Sequence, residues 1–150
     1  MNRLLNSHAG FAALVLRLPI GLILAAHGSQ KLFGWFGGFG LEGTAQWMAS
    51  VGLNPGFLMA ILAGSAEFFG GIALMLGLLT RPAAAISAIT MLVALLGVHG
   101  GNGFFLATKG IEYALALFSA TSALLIMGGG SYSIDRYLIN TKLLRSYEHE

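Results

Sequence analysis

The chain has 150 residues, of which 56% are hydrophobic and only 9% are charged, and its formal net charge is +2. A water-soluble domain of this length cannot bury so many apolar side chains, and so few charges do not favour binding to nucleic acid. The chain has no cysteine, which excludes disulfide exchange, thiolate catalysis and sulfur-ligated clusters. The sequence is therefore that of an integral membrane protein in contact with a lipid bilayer.

Four apolar segments follow one another along the chain, at 11–33, 57–79, 82–99 and 111–127. Each reaches the roughly 17 to 25 residues that a helix needs to cross the hydrocarbon core. The first segment has some features of a signal peptide, but Arg17 and Pro19 interrupt it and no cleavage site follows, so we interpret it as a retained span. The chain is thus predicted to cross the membrane four times.

The stretch between the first two spans is rich in glycine and aromatic residues. Within it, Leu41, Ala45, Met48 and Gly52 recur at helical spacing, which predicts a short helix lying in the membrane interface. The predicted fold class is all-α, a four-transmembrane-helix bundle with this interfacial helix between helices 1 and 2. We expect a single domain over residues 1–150, with a tail at 128–150.

The distribution of cations predicts the orientation of the chain. The cations that flank the spans on the side of the termini are Arg3, Arg81, Arg136, Lys142 and Arg145, whereas Lys31 and Lys109 lie on the other side. Cytoplasmic loops carry the excess of Lys and Arg, so we expect both termini to be cytoplasmic. The aromatic residues of the two outer loops then lie at the opposite interface.

Ionisable residues inside a membrane helix are costly, at about 2.5 to 3.5 kcal/mol near the centre, and therefore mark candidate sites. In this chain they are Arg17, His27, Glu67, His99 and Glu112. Counting about 1.5 Å per residue from the cytoplasmic end of each helix places all of them except Arg17 in the outer half of the bundle. His27 shares a helix face with Lys31, one turn later, and Glu67 lies in a stripe of small residues that predicts close helix contact.

Each of these residues also has a structural explanation. His27, His99 and Lys31 lie near helix ends, where polar side chains commonly reach the interface. Arg17 is either the counter-ion of Glu67 or an anchor to the cytoplasmic headgroups, and Glu112 opens a helix, where a carboxylate stabilises the N-terminus. Glu67 is too deep to reach an interface, so a buried pair or a functional role is expected for it within reach of His27 or Arg17.

Several segments resemble the DoxX family of small bacterial membrane proteins. The matching segments are RLPIG at 17–21, HGSQKLFG at 27–34, GGFGLEGTAQWMASVGL at 37–53, AEFFGGIALMLGLLTRPAA at 66–84 and GGGSYSIDRYL at 128–138. The resemblance implies a four-helix protein of the inner membrane, and an oxidoreductase linked to quinone or quinol chemistry. It also implies that Arg17, His27, Lys31 and Glu67 occupy the recurrent polar positions of the family.

These observations lead to a first functional hypothesis, a quinone-linked component that receives electrons from a partner redox protein. Glu67 and His27 would serve as catalytic proton donors and acceptors, while Arg17, Lys31, His99 and Glu112 would bind the substrate. No metal ligand set is expected. The segment after Lys31 would act as a lid, with Trp35, Phe36 and Phe39 lying against the bound ring.

Two alternatives come from other classes of protein. One is a small-molecule carrier or membrane scaffold without redox chemistry, for which a homo-oligomer would be needed because four helices offer little machinery for alternating access. The other makes His27 and His99 axial ligands of a haem, since both are predicted at a similar depth. Haem is disfavoured because a shared depth is a weak criterion, and because cytochrome bundles usually repeat their ligands on one helix.

Overall fold

The computed structural model describes residues 10–147, and of 142–147 only the backbone. Within this part of the chain there are six α-helices and no strand, which confirms the all-α prediction. We number them α1 (Ala12–Phe33), α2 (Gly40–Ser50), α3 (Gly56–Leu76), α4 (Thr80–Val93), α5 (Glu112–Met127) and α6 (Ile134–Tyr147). A π turn, Ala94–His99, continues α4, and short 3₁₀ turns at Trp35–Gly37 and Leu106–Thr108 lie in the connections.

The membrane-spanning helices begin and end within three residues of the predicted apolar segments. By length and composition α1, α3 and α4 with its π turn can each cross a membrane, whereas α5 is apolar but has only 16 residues. Large apolar side chains such as Leu22, Leu62 and Ile89 are more than half exposed on the outward faces, as expected of helices that contact lipid. We call the end with α2 the loop end, and the end with α6 the terminal end.

Helices α1 and α3 form the most extensive helix pair, and glycines set their separation. A Cβ atom added to Gly28 would collide with the backbone of Phe68, and one added to Gly71 would lie 2.5 Å from the backbone nitrogen of Ala25. Small residues allow such backbone contact between membrane helices. The close approach aligns the polar face of α1 with the stripe of α3 that contains Glu67.

Two groups of apolar side chains fill the interior. The larger joins all four long helices, with Leu24, Leu74, Met91, Leu117 and Leu124 among its buried members. The smaller lies under α2, where Ala45 and Met48 pack against Ala60 of α3. The helix predicted between the first two spans is therefore present, and it covers the loop end of α3.

The predicted tail contains α6, which is attached to the terminal end through Asp135. Its carboxylate accepts hydrogen bonds from the backbone N–H groups of Leu79, at 2.7 Å, and Thr80, at 2.8 Å. These groups open α4 and have no partner within that helix, so Asp135 caps α4 from another element. Of the cations used to predict orientation, Arg3 and the side chains of Lys142 and Arg145 lie outside the described residues.

Candidate functional site

An ion pair between Lys31 of α1 and Glu67 of α3 lies at the centre of the candidate site. The side chain of Glu67 is 5% exposed and that of Lys31 is 23% exposed, so the carboxylate is the more deeply buried partner. Glu67 faces the protein interior, as its stripe of small residues predicts, but its charged partner is Lys31. An ammonium group has three N–H donors, of which this carboxylate takes one, so Lys31 can bind a second acceptor.

The pair borders a cavity of about 110 Å³ between α1, α3, α4 with its π turn, and α5. Five polar residues line it: His27, Lys31, Glu67, His99 and Tyr113. The rest of the wall is apolar, formed by Leu24, Met91, Ala94, Ala114 and Leu117. We call this space the polar cavity. It combines several hydrogen-bonding groups with an apolar surround, which is typical of small-molecule sites.

His27 and Tyr113 border the polar cavity from α1 and α5. The tyrosine oxygen lies 3.4 Å from Nε2 of His27, and the ring centroids are 5.9 Å apart. Both residues are exposed on the protein surface, in contrast to the buried Glu67. They therefore lie at the mouth of the cavity, between helices that make few contacts with each other.

His99 reaches the same cavity from the π turn that continues α4. Its Nδ1 lies 2.6 Å from the backbone oxygen of Lys109. A carbonyl oxygen only accepts hydrogen bonds, so Nδ1 is the donor in this contact. π turns are frequent at functional sites, because the extra residue redirects the side chains that follow.

A second and larger cavity, of about 390 Å³, also borders the ion pair. Its walls come from α2, α3 and α4, and they are mainly apolar, with Leu62, Ile89 and Val93 among them. We call it the apolar groove. Lys31, Glu67, Ala94 and His99 line both the groove and the polar cavity, so the two spaces adjoin at the ion pair.

Arg17 lies outside this cluster, so of the two roles predicted for it the one as counter-ion of Glu67 is wrong. Its guanidinium donates to the backbone oxygens of Leu74, at 3.1 Å, and of Met75 and Tyr132. Leu74 is seven residues after Glu67 on α3, which is about 10 Å along the helix axis. Arg17 therefore binds the C-terminal carbonyl groups of α3 and joins that helix to the segment before α6.

Glu112 and the predicted aromatic lid also lie away from the two cavities. Glu112 accepts a hydrogen bond from the backbone N–H of Leu106, so it organises the connection before α5. Trp35 packs on Phe33 and Phe68, while Phe36 and Phe39 are 77% and 81% exposed. None of these residues lines the polar cavity or the apolar groove, so the lid prediction is wrong. Trp47 of α2 lines the groove instead.

Tyr113 is a site residue that the sequence analysis does not predict, because a tyrosine in an apolar segment is less conspicuous than a charged residue or a histidine. Tyr113 directly follows Glu112 at the start of α5, and a phenol at the depth of His27 was the available signal. Its hydroxyl group can donate and accept a hydrogen bond. The polar cavity therefore receives a side chain from each of the four long helices.

Comparison of the sequence with known proteins identifies its family. A family model described as DoxX matches residues 12–100, which include His27, Lys31, Glu67 and His99. The chain belongs to the DoxX family. Tyr113 and α5, which complete the polar cavity, lie beyond the matched residues.

Three curated relatives are similar over most of their length. The protein named "Putative oxidoreductase CatD" from Bacillus subtilis (strain 168) is 30% identical, over 92% of this chain and 95% of the relative. "Inner membrane protein YqjF" and "Inner membrane protein YphA", both from Escherichia coli (strain K12), are 36% and 31% identical over 82% of this chain. The alignments cover 95% and 87% of those two relatives. No solved structure matches the chain significantly.

Proposed function

We propose that this DoxX-family protein is a quinone-linked oxidoreductase component of the bacterial inner membrane. The observation that carries the proposal is the Lys31–Glu67 pair at the wall of a small cavity that His27, His99 and Tyr113 also line. The name of the Bacillus relative supports redox chemistry, and the names of the two Escherichia relatives support the location.

The size and lining of the polar cavity suit the head of a quinone. An engineered apolar cavity of about 150 Å³ takes up benzene, so a space of similar size can hold a single ring. The polar cavity has a volume of about 110 Å³, and the exposed residues His27 and Tyr113 are part of its lining. It is well below the roughly 300 to 1,000 Å³ of typical drug-sized and cofactor pockets, which disfavours haem between His27 and His99.

Different residues of the polar cavity would have different roles in the reaction. Conversion of a quinone to a quinol takes up two electrons and two protons. The ammonium of Lys31 and the hydroxyl of Tyr113 would donate hydrogen bonds to the ring oxygens as negative charge develops there. Glu67 and His27 would hold and transfer protons, and the apolar walls would exclude water. Arg17 has no part in this scheme, because its guanidinium binds backbone oxygens.

The electrons would come from a partner redox protein. The sequence has no cysteine, so this chain carries neither a thiol couple nor the ligands of an iron–sulfur cluster.

We further propose that both termini are cytoplasmic, since Arg17, Arg81 and Arg136 lie near the terminal end, whereas Lys31 and Lys109 lie near the loop end. The polar cavity would then lie in the outer half of the membrane.

Quinone content tests the binding part of the proposal. The protein is purified in mild detergent from membranes that contain quinone, and the quinone is extracted and quantified by mass spectrometry. We expect about one quinone per chain in the wild type and about tenfold less in Lys31→Met, since the charged donor is lost. Lys109→Met is the matched control, because it removes an exposed cation at the same end that lines neither cavity.

Absence of quinone from the wild type, or equal quinone in Lys31→Met and wild type, would contradict the proposal. The redox part is tested by the quinol-to-quinone ratio of membranes with wild-type protein or with His27→Ala at equal abundance. An unchanged ratio, with quinone bound, would assign the protein to the class of carriers or scaffolds instead.

A further inference from the structure

The apolar groove is elongated, and the function proposed for the polar cavity gives it no role. It follows α3 from Met59 to Glu67, and α4 with its π turn from Ile86 to His99. At about 1.5 Å per residue these stretches span about 12 Å and 20 Å, so the groove is elongated along the helices. α2 covers it at the loop end through Trp47 and Met48.

The rim of the groove is open towards the lipid. Leu62, Ile89 and Val93 line it and are between 45% and 63% exposed. The hydroxyl of Thr90, which also lines it, donates to the backbone oxygen of Ile86 at 3.0 Å and needs no other partner. The groove therefore offers an apolar surface to a hydrocarbon chain, and its charged groups are those shared with the polar cavity.

We infer that the apolar groove holds the isoprenoid tail of the quinone whose ring occupies the polar cavity. The inference rests on the proposed function. A molecule with a compact polar ring and one long apolar tail fits two spaces that meet at Lys31, Glu67, Ala94 and His99. The ion pair lies at the junction of ring and tail.

Charge complementarity favours this occupant over a phospholipid. The positive charge of Lys31 is matched by Glu67, so the polar end of the groove offers no net charge to an anionic phosphate. A neutral head group is the better partner there. The lipid outside the groove is as apolar as the groove walls, so the tail binds through packing contacts. Its attachment to the bound ring raises the effective concentration of the tail at the groove.

The test compares two probes on the full-length protein in detergent. One is tailless dimethoxymethylbenzoquinone, and the other is the same ring with a two-unit isoprenoid tail. Ala63→Phe and Thr90→Phe fill the groove from opposite walls, and neither residue lines the polar cavity. Ala116→Phe on the exposed face of α5 is the matched control.

We expect the tailed probe to bind about tenfold more weakly to both groove variants, and the tailless probe to change by about twofold or less. Ala116→Phe should bind both probes as the wild type does. A tailed probe unaffected by both groove variants would overturn the inference and leave the proposed function standing. Failure of both probes to bind the wild type would instead contradict the proposed function.

Two further results would count against the inference. One is loss of the tailless probe in both groove variants, because ring and tail would then not occupy separate spaces. The other is a change in co-purified phospholipid with unchanged affinity for the tailed probe, which would assign the groove to a phospholipid chain.

Discussion

Exchange of Lys31 for methionine should destabilise the bundle more than exchange of Glu67 for glutamine. Both substitutions nearly preserve side-chain volume and remove one charge of the same ion pair. They differ in what they leave behind. Lys31→Met leaves a carboxylate without its cation, whereas Glu67→Gln leaves an ammonium that can still donate to the amide oxygen of glutamine.

Burial sets the size of the two effects. The Glu67 side chain is 5% exposed, so its charge has almost no access to water, and loss of the partner should cost about 3 to 5 kcal/mol. The Lys31 side chain is 23% exposed and keeps a hydrogen bond in Glu67→Gln, so that variant should lose about 1.5 to 3 kcal/mol. The double variant has neither charge, and replacement of a whole buried pair is often close to neutral.

The free energy of unfolding is measured for all three variants in mixed detergent micelles. The fluorescence of Trp35 and Trp47 at the loop end reports the unfolding. We expect the double variant to be more stable than Lys31→Met, which gives a favourable coupling energy between the two sites. Equal destabilisation by the two single changes, or a double variant as unstable as their sum, would refute the reasoning from burial.

Three other predictions follow from the helix contacts and the cation distribution. Gly28→Ala should destabilise by about 1 to 3 kcal/mol because its Cβ meets the neighbouring backbone, whereas Gly101→Ala, with open space around it, should stay within about 0.5 kcal/mol of wild type in the same unfolding assay. Asp135→Asn should cost about 1 to 2 kcal/mol in that assay, because the two N–H groups that open α4 bind different carboxylate oxygens and the amide nitrogen that replaces one of these cannot accept. A reporter that is active only in the periplasm, fused at residue 140, should give no activity, and strong activity would reverse the proposed orientation.

The sequence predicts the long helices well, because a mainly apolar run of membrane-spanning length has few other structures open to it. The stripe of small residues also predicted that Glu67 faces the interior. The partner of Glu67 was not predictable in the same way. Counting residues along straight helices places Lys31 nearer the loop end than Glu67, and it ignores helix tilt and the length of a lysine side chain.

The partners of Arg17 could not be predicted from the sequence, for a second physical reason. Its partners are backbone oxygens at the C-terminal end of α3 and at Tyr132, which are present in any sequence and carry no residue-type signal. Charge pairing alone therefore directed Arg17 to the wrong partner. The apolar groove could not be predicted either, because it depends on how α2 covers the gap between α3 and α4.

The π turn at Ala94–His99 means that the direction of His99 depends on the local backbone as well as on its position in the sequence. A π turn is equivalent to one residue inserted into an α-helix, and each α-helical residue adds about 100° of rotation. If the same residues formed a regular α-helix, the imidazole would therefore be rotated by about 100° from its present direction towards the polar cavity. The π turn lets α4 contain one residue more than a regular helix of that length and still present a histidine to the site.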